Sequence, residues 1–542
     1  MLTIRVPRSQ FESLPEDEST PIQSHEPIIG NSMATAFYPD YPPDLSEREE
    51  EFLLTCLNDY SIATGLAVRP APAFVNPASD PKSVLATTAP VTLFPSLFPT
   101  SCFEEGLAIQ MAYNKLYSAI ARDVEWLTPI IEEIAEIDDF VAKLWDVQKT
   151  VAAGGYSQDL ALGLFRSDYM VHLDPLDSSS PPELRQVEFN TIASSFGGLS
   201  TRVSALHRHL RDVEAYPPST KLLVTQDTLI ASRSADCLAA GLAAAQKAYG
   251  PSKTGLPLVV AFVVQDPERN VFDQRHLEYS LLEDYSIRAI RLPFHRVLED
   301  TKLADDHTLL YTPPHAAGTP CEITTVYYRS GYAPDDYRGT QDWDARLQLE
   351  QSRAIKCPSI LTHLAGCKKI QQVLATPSSP HLSRFLSDPT EANRVAKTFA
   401  PIYPMDQSKA GLEARKLALD PETANRYVLK PQREGGGNNV YRKAIPDFLK
   451  KTPESHWPAW ILMEMIETPP QKNAIVRNGE VQKGGVICEL GVYGACLWSH
   501  SSGKLLENWE AGYLLRTKGD QSEEGGVAAG FGAIDSCCLV DL

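Results

Sequence analysis

Leu258–Val264 (LVVAFVV) is an unbroken apolar run that empties directly into Gln265-Asp266-Pro267. A strand this apolar needs cover on both faces, which is the condition of a parallel sheet flanked by helices. The run is far too short to span a bilayer. Thr324–Tyr328 is a second strand of the same kind and leads into Arg329-Ser330-Gly331-Tyr332. In α/β proteins the ligand contacts gather in the loops outside the carboxyl ends of such strands. Helices are predicted between Phe103 and about Val151, where Leu107, Met111, Leu116, Ile120, Leu127, Ile130, Ile134, Phe140 and Leu144 recur at helical spacing. Two amphipathic helices are expected there, broken near Thr128-Pro129 or Asp138-Asp139. Prolines at 70, 72, 77, 81, 90, 95 and 99 predict an irregular crossing before them. The Pro-, Ser- and acid-rich first forty residues read as a loosely held arm. Residues 381–423, polar and helical in pattern with four prolines, read as a domain border or a mobile connection.

At 542 residues the chain has room for several domains at about 150 residues each. Its 43% hydrophobic and 22% charged composition is that of a globular protein. Lys plus Arg number 50 against 69 Asp plus Glu, a net charge of −19, which disfavours nucleic acid and anionic membranes as partners. An anionic ligand must therefore meet local positive charge or metal. The opening residues lack a signal-like apolar run, so a cytoplasmic protein is expected. Ten cysteines without a CxxC pair or zinc spacing, including the adjacent Cys537 and Cys538, read as reduced buried thiols.

Arg426–Lys430 is a β-prone run breaking into Pro431-Gln432-Arg433-Glu434-Gly435-Gly436-Gly437-Asn438-Asn439. Three glycines let backbone approach a ligand closely and present several N–H donors to phosphate-like oxygens. The loop fits neither GxxxxGK[ST] nor GxGxxG, and a plain surface turn is the alternative. Lys430, Arg433 and Glu434 argue against that alternative by adding charge and a metal-capable carboxylate. In Leu184–Asn190, alternation is expected to turn Val187 and Phe189 to a core and Gln186, Glu188 and Asn190 to the other face. Glu188 and Asn190 then form an oxygen pair suited to Mg²⁺, or simply a half-polar edge strand. Glu464 and Glu489 lie inside apolar runs, where a carboxylate is rarely buried without a partner. Arg516 and Lys518 precede Gly525-Gly526, a second anion-binding candidate. With no GxSxG, HExxH or Cys-His nucleophile pattern, phosphoryl transfer by positioning and electrostatics fits better than covalent catalysis.

VEFNTIASSFGGLSTR, PERNVFDQR, YYRSGY, LAGCKKIQQ, LKPQREGGGNNVY and LLRTKGDQSEEGGVAAG, extended by TLFPSLFP and GLFRSDYM, together resemble eukaryotic glutathione synthetase, in the family's order from about Pro90 to Gly530. The resemblance implies an α/β ATP-grasp fold with a main ATP-binding body, a parallel-sheet substrate-binding domain and a glycine-rich lid. The corresponding boundaries are an arm at 1–40, body at 41–257, substrate domain at 258–366, body at 367–403, lid at 404–487 and body at 488–542. It implies ATP-dependent joining of γ-glutamylcysteine to glycine through an acyl phosphate, in a cytoplasmic homodimer with Mg²⁺ as cofactor. A ligase for β-alanine and a nucleotide-binding regulator without turnover are the alternatives. Carried over by motif, Glu188, Asn190 and Glu434 would bind metal. ATP would meet Lys368, Lys430, Glu434, Gly435, Gly436, Gly437, Asn438, Asn439, Tyr441, Met463, Glu464, Met465, Ile466, Glu489, Lys518 and Glu524. The dipeptide or acyl phosphate would meet Arg166, Ile192, Ala193, Ser194, Ser195, Glu268, Arg269, Asn270, Gln274, Arg329, Ser330, Gly331, Tyr332, Arg516, Val527 and Ala528. Arg166, Lys430 and Arg516 would be catalytic. Ala193, Ser330, Met465 and Glu524 depart from the family's usual serine, aspartate, lysine and aspartate.

Overall fold

The computed structural model describes residues 37–174, 177, 179–314, 319–433, 438–522 and 532–542. The expected N-terminal arm lies outside them through residue 36. The helical periodicity after Phe103 forms three helices, not two: α1 (Thr100–Arg122), α2 (Val124–Ala135) and α3 (Asp139–Gly154). Asp123 sets the extra boundary by accepting from the Trp126 N–H at 3.1 Å, while Pro129 is carried inside α2. A side chain that satisfies an orphan N–H defines a helix start more firmly than a proline a turn later ends one. The expected break at Asp138 is present, with its carboxylate accepting from Phe140 N and Val141 N.

β1 (Leu160–His172), β2 (Glu183–Asn190), α4 (Gly197–Asp212), β3 (Leu258–Val264), α5 (Val271–Tyr285), β4 (Ala289–Pro293), β5 (Cys321–Tyr328) and β6 (Ile355–Cys357) follow along the chain. In space β4, β3, β5, β6 and β1 lie side by side and parallel, as the apolar runs require. After α6 (Lys368–Ala375), the strands β7 (Ile402–Pro404), β8 (Tyr427–Pro431), β9 (Val440–Tyr441) and β10 (Trp460–Glu464) make a separate antiparallel sheet in the order β7-β10-β8-β9. β11 (Glu480–Ser499), β12 (Leu505–Gly519) and β13 (Gly532–Asp535) then extend the main sheet antiparallel from the free side of β1.

Strand periodicity explains where the chemistry sits. On β3, Val260, Phe262 and Val264 enter one core while Val259, Ala261 and Val263 enter the other. On β1, Leu162 and Leu164 belong to the first core, and Ala161, Phe165, Tyr169 and Val171 to a third. The Leu162–Leu164 face continues as Arg166 and Asp168, so the apolar core gives way to charge two residues further along the same side.

β2 departs from plain alternation. Asp168 pairs with Glu188 and Tyr169 with Gln186, leaving Val187 as the extra residue of a β-bulge. The bulge turns Gln186 into the interior and leaves Val187 half-buried on the side of Glu188, the reverse of the expectation for those two residues. All ten cysteines are free thiols, but only seven are buried; Cys56, Cys237 and Cys367 are half-buried, so the expectation of uniform burial fails for these three. Among the described residues no helix is long and apolar enough to cross a membrane.

Candidate active site

The charged face of the main sheet and the underside of the small sheet enclose a cavity of about 550 Å³. Its floor carries Arg166 and Met170 of β1, Glu188 and Asn190 of β2, Ile487 and Glu489 of β11, and Arg516 and Lys518 of β12. Its roof carries Val428 and Lys430 of β8, Tyr441 of β9, and Met463 and Glu464 of β10 with the following Met465 and Ile466. Asn438, Asn439, Ile192, Ala193, Ser194, Ser195, Tyr332 and Lys368 line the cavity as well. Glu434, Gly435, Gly436, Gly437, Glu524, Val527 and Ala528 lie outside the described residues.

Four cations and three carboxylates interlock between floor and roof. Asp168, fully buried, accepts from Arg166 Nε at 2.6 Å and Nη2 at 2.8 Å, from Arg516 Nη2 at 2.9 Å and from Asn190 Nδ2 at 2.9 Å. Arg516 also pairs with Glu489. Lys368 Nζ stands 2.9 Å from Glu188 Oε2, and Lys430 Nζ donates to the Val187 carbonyl at 3.0 Å. Burial works against the charge of Arg166 and of Arg516, yet Asp168 for the first and Glu489 with Asp168 for the second hold both guanidinium pKa values above normal. Burial pushes Glu188 upward, but Lys368 and Lys430 overcome it and hold the carboxyl well below its usual range. Burial lowers Lys430 despite Glu188. Glu489 is raised by burial, with Asp168 and Glu188 adding to it and Arg516 opposing.

The loop between β2 and α4 forms one wall and is held in an uncommon backbone, with φ of +52° at Ala193 and +74° at Phe196. Such positions persist only where surroundings over-determine them. Asp273 of α5 accepts from the N–H groups of Phe196, Gly198 and Leu199 at 2.8, 2.8 and 3.2 Å, capping α4 from another helix. Arg329 donates to Ser194 O and Ser195 Oγ at 2.9 and 2.7 Å, and Arg166 and Tyr493 both donate to Ser195 O. Arg329, Glu268, Asn270 and Gln274 stand behind this loop and off the cavity lining, with Glu268 accepting from Asn270 N and Gln274 Nε2. Ser194 Oγ, Asn270 Oδ1, Gln274 Oε1 and Arg329 Nε are buried there with no protein partner. Ser330 is buried and Gly331, at φ +85°, donates to Asp336 in the turn that presents Tyr332. Arg269 is exposed and its carbonyl receives Arg69 N.

Asp168 and Asp273 did not emerge from the sequence as site residues. The signal for Asp168 was present in GLFRSDYM, since an i, i+2 pair on a buried strand puts it beside Arg166. Asp273 lies in PERNVFDQR beside Asn270, whose Nδ2 donates to it at 3.2 Å, but its three backbone partners are more than seventy residues away and leave no mark in the motif. Arg433 lines the cavity but its guanidinium is paired with Asp138. Of the adjacent Lys368 and Lys369, only the first faces the cavity; Lys369 reaches Glu133 and Asp406.

The model for "Eukaryotic glutathione synthase, ATP binding domain" matches residues 47–539. The chain is 41% identical over 470 residues to the glutathione synthetase large chain of Schizosaccharomyces pombe, covering 83% of this chain and 91% of the relative. It is 38% identical over 483 residues to the glutathione synthetase of Homo sapiens, covering 88% and 94%. Among solved structures, a glutathione synthetase like-effector from Globodera pallida in apo form superposes with a TM-score of 0.69 at 20% identity, over 92% of this chain and 98% of that one, a shared fold. The chain therefore belongs to the eukaryotic glutathione synthase family of ATP-dependent ligases.

Proposed function

We propose that the cavity joins γ-glutamylcysteine to glycine with ATP, forming glutathione, ADP and phosphate. The supporting observation is the convergence of Arg166, Lys368, Lys430 and Arg516 with Glu188 and Asn190 on one cavity of about 550 Å³. A carboxylate does not acylate an amine at neutral pH. Attack of the cysteinyl carboxylate on the γ-phosphorus releases ADP and leaves an acyl phosphate. Attack of the glycine amine on the acyl carbon, with loss of a proton from nitrogen, then expels phosphate. No enzyme nucleophile is needed, so the side chains have only to bind, orient and neutralise. Lys368 and Lys430 stand where polyphosphate charge would replace Glu188 as their partner. Arg516 Nε is buried without a partner and is free to meet charge developing on the transferred group. The unpartnered Ser194, Asn270, Gln274 and Arg329 atoms, behind the same loop, offer donors and acceptors to the amino-acid head of the dipeptide. Val428, Met463, Met465 and Ile466 supply an apolar slot for a nucleobase.

Glu188 and Asn190 suit Mg²⁺, which takes one or two carboxylates and leaves its other positions to water and phosphate. Asn190 spends its Nδ2 on Asp168 and the Arg166 carbonyl, so its Oδ1 is the end left for a cation. Bound there, Mg²⁺ would offset phosphate charge. We assign 404–487, which carries β8, β9 and β10 of the small sheet, as the lid, 258–366 as the substrate domain, and 41–257, 367–403 and 488–542 as the body. The cytoplasm as compartment agrees with ten free thiols, and the homodimer rests on the family resemblance. Purified protein with ATP, Mg²⁺, γ-glutamylcysteine and glycine should release phosphate only when both amino substrates are present. Release that ignores the dipeptide would overturn the proposal.

A further inference from the structure

Arg166 and Arg516 would repel each other if they merely flanked the substrate, since Arg166 is buried and Arg516 mostly so on one floor. Asp168 is the group that reconciles them. Its Oδ1 receives Arg166 Nε, and its Oδ2 receives Arg166 Nη2, Arg516 Nη2 and Asn190 Nδ2, all between 2.6 and 2.9 Å. The side-on grip on Arg166 leaves that residue's Nη1 pointing to the Ser195 carbonyl, on the wall of the dipeptide loop. An ionised carboxylate only accepts, so the same contact fixes which way the Asn190 amide faces and turns its oxygen from Asp168.

The backbone makes room for this arrangement. Directly opposite Asp168, on β11, is Gly491. A Cβ at Gly491 would lie 2.8 Å from Arg166 Cδ and 2.9 Å from Asp168 Oδ1, closer than real Cβ contacts. The bulge at Val187 adds to it, because it restores Glu188 to the row opposite Asp168. A glycine, a bulge and a carboxylate from three strands thus serve one geometry; Val187 and Glu188 of the bulge line the cavity, while Gly491 and Asp168 stand behind it.

We propose that Asp168 is a positioning residue for the ligase reaction, aligning Arg166, Arg516 and Asn190 toward the dipeptide and the transferred phosphoryl group, with Gly491 as the space that permits it. This rests on the function proposed above. It predicts a split: dipeptide recognition and turnover depend on Asp168, whereas the nucleobase slot, built from β8 and β10, does not.

Asp168→Asn keeps the side chain's size but replaces an acceptor with an N–H₂ group aimed at a guanidinium. Gly491→Ala keeps every polar group and displaces the pair sterically. Misplacement of about an ångström costs on the order of 10²-fold in rate. Both variants are therefore expected to lose about 100-fold in kcat, with a rise of about tenfold in KM for γ-glutamylcysteine. Binding of ADP, followed by calorimetry on the full chain, should change by less than about threefold. Unchanged dipeptide kinetics in either folded variant would overturn the proposal. So would ADP and dipeptide affinities falling together with the melting temperature, which is the pattern of a purely structural residue. If Asp168→Asn does not fold, Gly491→Ala carries the same decision. A wild-type chain without dipeptide-dependent phosphate release would instead overturn the function on which the proposal rests.

Discussion

Glu188 shows how a single residue's environment sets its chemistry. Its carboxylate is 24% exposed and sits against the nearly buried ammonium of Lys368, so attraction outweighs desolvation. Because its folded pKa is depressed, the stability it contributes is present above its ordinary value of 4.5 and is lost as pH falls through the folded value. Glu188→Gln should therefore be less stable than the parent at neutral pH. The expected cost is on the order of 2 kcal/mol, less than the 3–5 of a fully buried broken pair because the site keeps some solvent. Melting temperatures of the two proteins should converge as pH drops below 4.5. A gap that widens on acidification would contradict the ion-pair account.

At the scale of elements, the cavity wall depends on α5 reaching across to the start of α4. Asp273→Ala would leave three buried N–H groups without their acceptor, each worth about 1–3 kcal/mol when unsatisfied. Partial relaxation makes about 3 kcal/mol a reasonable total, read as a fall in denaturation midpoint, accompanied by weaker dipeptide binding as the 193–196 loop loosens. Normal dipeptide affinity in that variant would show that the loop holds itself. The same elements mark how far sequence carries. The parallel strands were legible because Leu258–Val264 and Thr324–Tyr328 have one possible environment. Glu188 and Asn190 were legible because a strand alternates. Gln186 and Val187 were not, since a bulge is a matter of pairing with β1 and shifts the alternation by one. The boundary at Asp123 was hidden by the louder signal of Pro129. Asp273 was hidden because three of its four hydrogen-bond donors are backbone groups, and backbone carries no residue type to read.

Across the whole molecule, the net charge of −19 and the anionic substrates are reconciled by distribution. Arg166, Lys368, Lys430, Arg516 and Lys518 all line one cavity, while Arg329 supports the wall from behind. They do not form a simple basic patch, because Asp168, Glu188 and Glu489 are threaded among them. Interleaving keeps the cations paired before substrate arrives and leaves them pre-aimed when phosphate and carboxylate oxygens take over, which lowers the reorganisation required during reaction. The central claim is that this floor converts a carboxylate into an acyl phosphate. The most direct measurement uses γ-glutamylcysteine labelled with ¹⁸O in the cysteinyl carboxylate, turned over with ATP, Mg²⁺ and glycine. The account expects one ¹⁸O atom in each phosphate released and the other in the new amide; unlabelled phosphate would contradict it.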